Sequence, residues 1–108
     1  MNPENIFIGS AKLLKACRLK DAQGNTRTVE PYMVYVSSQG KRLFHCYQLS
    51  GFSERGQVVG WKNPEVGLFQ LAEILEEFFA VRPGYNPFNS KMFPVVHFSI
   101  PTYDGRQR

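Results

Sequence analysis

The residues that could do chemistry are concentrated in a polar, glycine-rich loop over residues 50–60 and in its two flanks. Serine hydroxyls, glycine backbone amides and cationic side chains are groups that hold phosphate oxygens in proteins. Aromatic rings beside cations can stack a nucleobase. The loop and its flanks contain all of these groups: Tyr47, Gln48, Ser50, Gly51, Ser53, Arg55, Trp61 and Lys62, with Phe52 on the same predicted surface.

A purely structural interpretation fits the same stretch of chain. Trp61 is the only tryptophan, and its large ring could close one end of a small barrel. Serine and glycine residues also shape turns without any ligand. The residues by themselves therefore leave a ligand-binding surface and a structural loop as two open alternatives.

Sequence patterns typical of enzymes are absent. The chain has no phosphate-cradling G-x-x-x-x-G-K-[ST], no dinucleotide-binding G-x-G-x-x-G and no serine nucleophile elbow. His45 and His97 lie on predicted strands without an acidic or thiol partner at metal-binding spacing, which favours structural histidines. We therefore expect a non-catalytic protein without a cofactor or a metal site.

The two cysteines, Cys17 and Cys46, are 29 positions apart, and no C-x-x-C motif occurs. This spacing excludes the common zinc and redox motifs. Both cysteines lie in largely apolar stretches, so we expect two buried free thiols, as in a reducing cytosol. A disulfide stays open only if the two strands that carry them are neighbours.

Length and composition indicate one folded domain over residues 1–108. Thirteen Lys and Arg against nine Asp and Glu give a net charge of +4, which favours anionic partners. The N-terminal residues lack a basic segment followed by an apolar one, and no apolar run approaches the roughly 20 residues that span a bilayer. We therefore expect a cytoplasmic protein that does not enter a membrane.

Alternating apolar residues between turn signals predict a mainly β fold. Pro31 lacks a backbone donor, so it should mark an edge position or a bulge. Residues 1–11 form an N-terminal extension, read as a short helix or an added edge strand, and residues 101–108 form a polar tail. On the third strand, Leu43, His45 and Tyr47 should share one face, and Phe44, Cys46 and Gln48 the other. The predicted strands are residues 12–20, 26–36, 42–49 and 93–100, with a turn at 21–25 and a hairpin loop at 37–41.

Two segments carry further local signals. Asn63-Pro64 resembles a helix start, and the spacing of Leu68, Leu71 and Leu75 favours a helix over about 65–78. Such a helix would expose Glu73, Glu76 and Glu77 on its solvated face. Residues 82–85 place Pro and Gly at the central positions of a type II turn. Hairpin-connected strands of this kind predict a small barrel or rolled sheet.

The stretch Arg27-Thr28-Val29-Glu30-Pro31-Tyr32, followed by a hairpin and Gly40-Lys41-Arg42-Leu43-Phe44-His45-Cys46-Tyr47, resembles the core of the WYL domain. The resemblance continues through Tyr47-Gln48-Leu49-Ser50-Gly51-Phe52-Ser53, Gly60-Trp61-Lys62 and Arg82-Pro83-Gly84-Tyr85, and covers about residues 12–100. Two features depart from that family. Arg42-Leu43-Phe44 stands in place of the naming tripeptide, and the chain has no room for the usual helix-turn-helix domain.

The resemblance implies a small, partly open SH3-type or Sm-like barrel with one short helix or helical turn. It also implies a sensor of single-stranded nucleic acid or a nucleotide in bacterial transcriptional or phage-defence regulation, acting alone, as a homodimer or through a DNA-binding partner. It favours a strand beginning near Val66, with helical character further on. Its ligand surface, carried over by position, comprises Arg27, Tyr47, Gln48, Ser50, Ser53, Trp61, Lys62 and Arg82.

A different class of function, a module for protein interaction or homo-oligomerisation, is compatible with the same fold. Small barrels carry edge strands and exposed aromatic rings that can bind another protein or a second copy. Nucleic-acid binding should weaken steeply with salt, whereas an apolar protein interface should not. Salt dependence therefore separates these two expectations.

Overall fold

A computed structural model describes residues 2–108 and shows a mainly β protein, as predicted. One α-helix precedes six strands, and a single turn of 3₁₀-helix, Val66–Leu68, leads into the fifth strand. The elements are α1 Pro3–Lys12, β1 Lys15–Asp21, β2 Thr26–Val36, β3 Arg42–Gly51, β4 Gly60–Lys62, β5 Phe69–Phe78 and β6 Val95–Ser99.

The strands form one antiparallel sheet in the order β4-β3-β2-β1-β5. Strand β2 pairs with β3 along one edge, while its other edge pairs first with β1 and then, from Met33 onward, with β6. The β2–β3 register shifts between Pro31 and Met33, which confirms the predicted bulge at this proline. In the described residues the outer strands β4 and β5 do not pair with each other, so the sheet is not closed into a barrel.

The sheet separates two apolar clusters. The first cluster packs under α1, where the rings of Phe7 and Phe44 stack with their centroids 3.9 Å apart. The second cluster is rich in tyrosine and is centred on the fully buried Tyr32. The alternation predicted for β3 is confirmed, since Phe44 and Cys46 belong to the first cluster and Leu43 and Tyr47 pack against the second.

Both cysteines are buried in the first cluster as free thiols, as predicted. Burial raises the pKa of Cys17 and the pKa of Cys46 to about 12. Both side chains therefore remain protonated at neutral pH and act as small apolar residues.

The stretch before β1 is a helix rather than an added edge strand. The Asn2 side chain accepts a hydrogen bond from the Asn5 backbone N–H at 2.8 Å, and Pro3 begins the helix. Phe7 and Ala11 on α1 are completely buried. The residues expected as an N-terminal extension thus form part of the core.

The helix predicted over 65–78 is wrong, and so is the expected order of strand first and helical character later. The 3₁₀-turn comes first, and Phe69–Phe78 is a strand paired with β1. The apolar spacing was misleading because Leu71 and Phe78 are 60% and 74% exposed, so the apolar residues do not share one buried face. Pairing with β1 overrides the helix preference of this Glu- and Leu-rich segment.

The three glutamates of this segment are exposed, as expected, but on a strand rather than a helix. Glu73 forms an exposed ion pair with Arg18 on β1, with 2.8 Å between the charged atoms. This pair lies across the β1–β5 ladder, where Arg18 and Glu73 are register partners.

Two other predicted features also differ in detail. The Tyr85 N–H donates to the Arg82 carbonyl at 3.0 Å, which confirms a turn at 82–85. It is not of type II, since Gly84 lacks the positive φ that this type requires. The polar tail folds back on the end of β6, where the Gln107 amide donates to the Ser99 carbonyl at 3.1 Å.

Among residues 2–108, no helix combines the length and the apolar character that crossing a bilayer requires.

Candidate ligand-binding site

Four of the eight predicted ligand residues line one open cavity of about 650 Å³ beside the β3–β4 edge. We call this space the Arg27 cavity. Arg27 comes from β2, Trp61 and Lys62 from β4, and Ser53 from the loop that joins β3 to β4. The complete lining is Arg27, Ser53, Glu54, Arg55, Trp61, Lys62, Asn63, Pro64, Glu65 and Leu68.

Arg27 is the most unusual residue of this cavity. It is only 8% exposed, and no ion pair or side-chain hydrogen bond joins it to any residue from 2 to 108. Its buried Nε atom has no hydrogen-bond partner. The rings of Phe69 and Phe52 lie beside it, with their centroids 5.4 Å and 5.8 Å from the guanidinium carbon.

These ring contacts do not replace a counterion. A cation–π contact contributes about 0.5–2 kcal/mol, whereas removing an ion from water costs several kcal/mol even after the protein relaxes. A buried cation is therefore normally paired. Arg27 thus provides a positively charged group, already placed in a cavity, that an anion would satisfy.

The balance of charge in the Arg27 cavity also favours an anion. Arg27, Arg55 and Lys62 contribute three cations, against the carboxylates of Glu54 and Glu65. Glu65 is already paired with Lys41 outside the cavity lining, at 3.3 Å. The cavity therefore keeps an excess of positive charge.

Lys62 and Ser53 also shape the loop. The Lys62 ammonium donates to the Gln57 carbonyl at 2.5 Å, and the Ser53 hydroxyl donates to the same carbonyl at 2.7 Å. This part of the structural alternative is correct, because the two side chains hold the loop in shape. The Lys62 side chain nevertheless remains at the wall of the cavity.

Trp61 joins the Arg27 cavity to the tyrosine-rich cluster on the other face of the sheet. Its ring stacks on His45 at 4.8 Å and meets the edges of Tyr32 at 4.9 Å and Tyr47 at 5.3 Å. Trp61 is thus both a packing residue and a wall of the cavity. Because the indole ring fluoresces, Trp61 can report changes in the Arg27 cavity and in the tyrosine-rich cluster.

Tyr47 and Arg82 form a separate group beside Trp61 and do not line the cavity. The Arg82 guanidinium lies 3.7 Å from the centre of the Tyr47 ring. It also donates to both carboxylate oxygens of the buried Glu30, at 2.8 Å and 3.1 Å. The hydrogen bonds to Glu30 raise the pKa of Arg82, and this internal pair already satisfies its charge.

The last two predicted residues are not brought into the cavity. Gln48 is fully buried, and its amide donates to the Phe52 carbonyl at 2.8 Å, while its Oε1 atom has no partner. Ser50 is exposed at the end of β3, opposite Thr28, and is not part of the lining. Gln48 therefore supports the loop from beneath rather than presenting its amide at the surface.

Sequence reasoning missed Glu30 and the far wall of the cavity, Asn63 to Leu68. Glu30 pairs with a residue 52 positions away, and no local pattern indicates such a pair. The sequence pattern predicts that a helix follows Asn63-Pro64, and such a helix would not place these residues beside Lys62. Extending the polar loop beyond Lys62 would have found Asn63 and Glu65.

His45 is buried and hydrogen-bonded. Its Nδ1 atom lies 2.8 Å from the Asn63 side-chain oxygen, which identifies Nδ1 as the donor. Burial lowers the pKa of His45 to about 4, so the ring is neutral at pH 7. Within residues 2–108, no three His, Cys, Asp or Glu side chains come together as a metal site would require.

The Arg27 cavity can hold an anionic group against a buried guanidinium, with further cations at its wall. Phe52, 37% exposed and next to Arg27, offers a ring on which a flat group could stack. Comparison of the chain with protein-family models, with curated proteins and with solved structures gave no significant match.

Proposed function

We propose that this protein is a non-catalytic, WYL-like domain that binds single-stranded nucleic acid or a nucleotide in the Arg27 cavity. The observation that carries the proposal is the buried guanidinium of Arg27, which has no counterion in the described chain. Phosphate is an anion whose geometry matches the planar fork of arginine donors, which can bind it through two parallel hydrogen bonds.

Two further features support a nucleotide rather than a simple anion. Arg55 and Lys62 extend the positive charge along the wall of the cavity, so more than one phosphate could be neutralised. The partly exposed ring of Phe52 could stack a base, because stacking needs a free aromatic face beside a cationic groove. A regulatory role in transcription or phage defence would then pass through a second protein.

We expect a single-stranded oligonucleotide of about eight nucleotides to quench Trp61 fluorescence, with an affinity that falls as salt rises. Changing Arg55 and Lys62 together to glutamine should weaken binding by about tenfold or more. The slope of the logarithm of affinity against the logarithm of salt concentration should also fall, by the amount expected for about two lost phosphate contacts. Fluorescence titration of both proteins at low and moderate salt measures both quantities.

The matched control is Lys20→Gln combined with Lys91→Gln, which removes the same two charges from exposed positions outside the cavity lining. Its affinity and its salt dependence should equal those of the unmodified protein. An Arg55 and Lys62 variant that binds like this control would contradict the assignment of the cavity.

The exposed edge of β5 favours a second candidate, a homo-oligomerisation module. One side of β5 pairs with β1, while its other edge has no partner strand among the described residues, and Leu71 and Phe78 are exposed along it. Unpaired edges with apolar side chains can pair with a second copy.

If β5 pairs with a second copy, the mass of the protein measured by sedimentation should rise with concentration. Leu71→Lys should keep the protein monomeric. A constant monomer mass of the unmodified protein excludes this function.

A further inference from the structure

We infer that Arg27 recognises a terminal phosphate, the monoester at the end of a nucleotide or oligonucleotide, in preference to a phosphodiester inside a chain. This inference rests on the proposed function and specifies which part of the ligand enters the Arg27 cavity. It follows from how Arg27 is enclosed.

Most of Arg27 is enclosed by its neighbours, and the residue is only 8% exposed. The residue lies on β2 directly opposite Gly51 of β3, whose backbone approaches so closely that a side chain at Gly51 would meet the Arg27 Cα atom at 2.8 Å. The rings of Phe52 and Phe69 cover further parts of the side chain. What remains accessible is the small part of Arg27 that lines the cavity.

A ligand can reach the accessible part of Arg27 only with a group at the end of its chain. A phosphodiester carries a sugar on each of two oxygens, so its chain must run both toward and away from the guanidinium. A terminal phosphate has one substituted oxygen and three free ones, and it can project into a recess while the rest of the ligand stays outside. The burial of Arg27 therefore discriminates by shape against an internal phosphate.

Charge also favours a terminal phosphate over an internal one. A phosphate monoester carries about −1.5 to −2 charges at pH 7, compared with a single charge on a diester. A largely buried arginine without a counterion gains more from the more highly charged group. Lys62 and Arg55 at the cavity wall lie where the remaining charge of such a group, or the next phosphate, could be neutralised.

Gln48 supports the loop beside Arg27. Its amide holds the Phe52 carbonyl, and Phe52 in turn places its ring beside Arg27. The Phe52 N–H also donates to the Thr26 carbonyl at 2.8 Å, which ties the start of the loop to the residue before Arg27. These hydrogen bonds fix the backbone on both sides of the recess and the position of Phe52 beside Arg27 before any ligand arrives.

The test compares one oligonucleotide sequence in three forms: with a 5′-phosphate, with a 3′-phosphate, and with hydroxyls at both ends. We expect one phosphorylated form to bind about tenfold tighter than the hydroxyl form, the size of one lost charge-assisted contact. Arg27→Gln should abolish this difference between the phosphorylated and hydroxyl forms. Arg18→Gln, which removes an exposed arginine from the neighbouring strand, should preserve the difference.

Competition identifies the source of the terminal phosphate. Displacement of the labelled oligonucleotide by a nucleoside monophosphate, but not by inorganic phosphate at the same concentration, would assign a free nucleotide. Displacement only by a phosphorylated oligonucleotide would assign a nucleic-acid end. Either result supports the inference, and thermal melting of Arg27→Gln and Arg27→Lys verifies that the variants are folded.

Two outcomes would overturn the inference, and they are distinguishable. Equal, salt-sensitive binding of all three forms would leave the proposed nucleic-acid function in place and reject the terminal-phosphate site. Absence of binding by any form at low salt, together with no response of Trp61 fluorescence to a nucleoside monophosphate, would reject the proposed function together with the inference.

Discussion

Replacing Gly51 with alanine is expected to remove a large part of the stability of the protein. Gly51 has a φ of +104°, and an added Cβ would lie 2.8 Å from the Arg27 Cα and still closer to the Thr26 carbonyl oxygen. Both are backbone atoms of β2, so they can move only if the β2–β3 pairing is disturbed. Backbone strain and overpacking together should cost about 3–5 kcal/mol, a large part of the roughly 5–15 kcal/mol that stabilises a domain.

The matched control for this experiment is Gly40→Ala. Gly40 has a similar left-handed conformation, with a φ of +79°, but nothing lies within 4 Å of its added Cβ. Its loss of stability should be only the conformational cost of about 1–2 kcal/mol. Urea unfolding of both variants separates the two causes, and equal losses would show that the approach of Gly51 to β2 is not critical.

The close approach of Gly51 to β2 also positions the candidate site. Gly51 is the register partner of Arg27, and the next residue, Phe52, covers the Arg27 side chain. A larger residue at Gly51 would push β3 away from β2 and open the recess around the guanidinium. We therefore regard the glycine as part of the architecture that buries Arg27.

Acidification should destabilise the protein through His45. Its pKa is about 4 in the folded state, because of burial, against an ordinary value of 6.5. The unfolded state therefore binds the proton more tightly, and the stability is complete above pH 6.5 and declines as the pH falls toward 4. The expected loss between pH 7.5 and pH 5 is about 2 kcal/mol, measured as the change in the free energy of unfolding by urea.

His45→Asn provides the control for this pH dependence. Asparagine does not titrate, and its amide can donate to Asn63 from near the position of the His45 Nδ1 atom. The variant should be nearly as stable at pH 5 as at pH 7.5, apart from contributions of other groups that both proteins share. A pH dependence as steep as in the unmodified protein would show that His45 is not the group responsible.

Local sequence determined the strands that are bounded by turns. Residues 26–36 and 42–49 alternate apolar and polar or β-branched side chains between the turn at 21–25 and the hairpin at 37–41, and the structure places β2 and β3 there. The same alternation correctly separated the two faces of β3. These predictions succeeded because turn residues and a two-residue period act within a few positions of the chain.

Tertiary structure alone decided the rest. Strand β5 exists because it pairs with β1, some fifty positions earlier, against its own helix-like spacing. In the candidate site, the position of Arg82 depends on the distant Glu30, and the burial of Arg27 depends on Phe52 and Phe69. The sequence shows which side-chain types the site contains. Which cation is paired and which is buried without a counterion depends on contacts between residues far apart in the chain. No local pattern encodes such contacts.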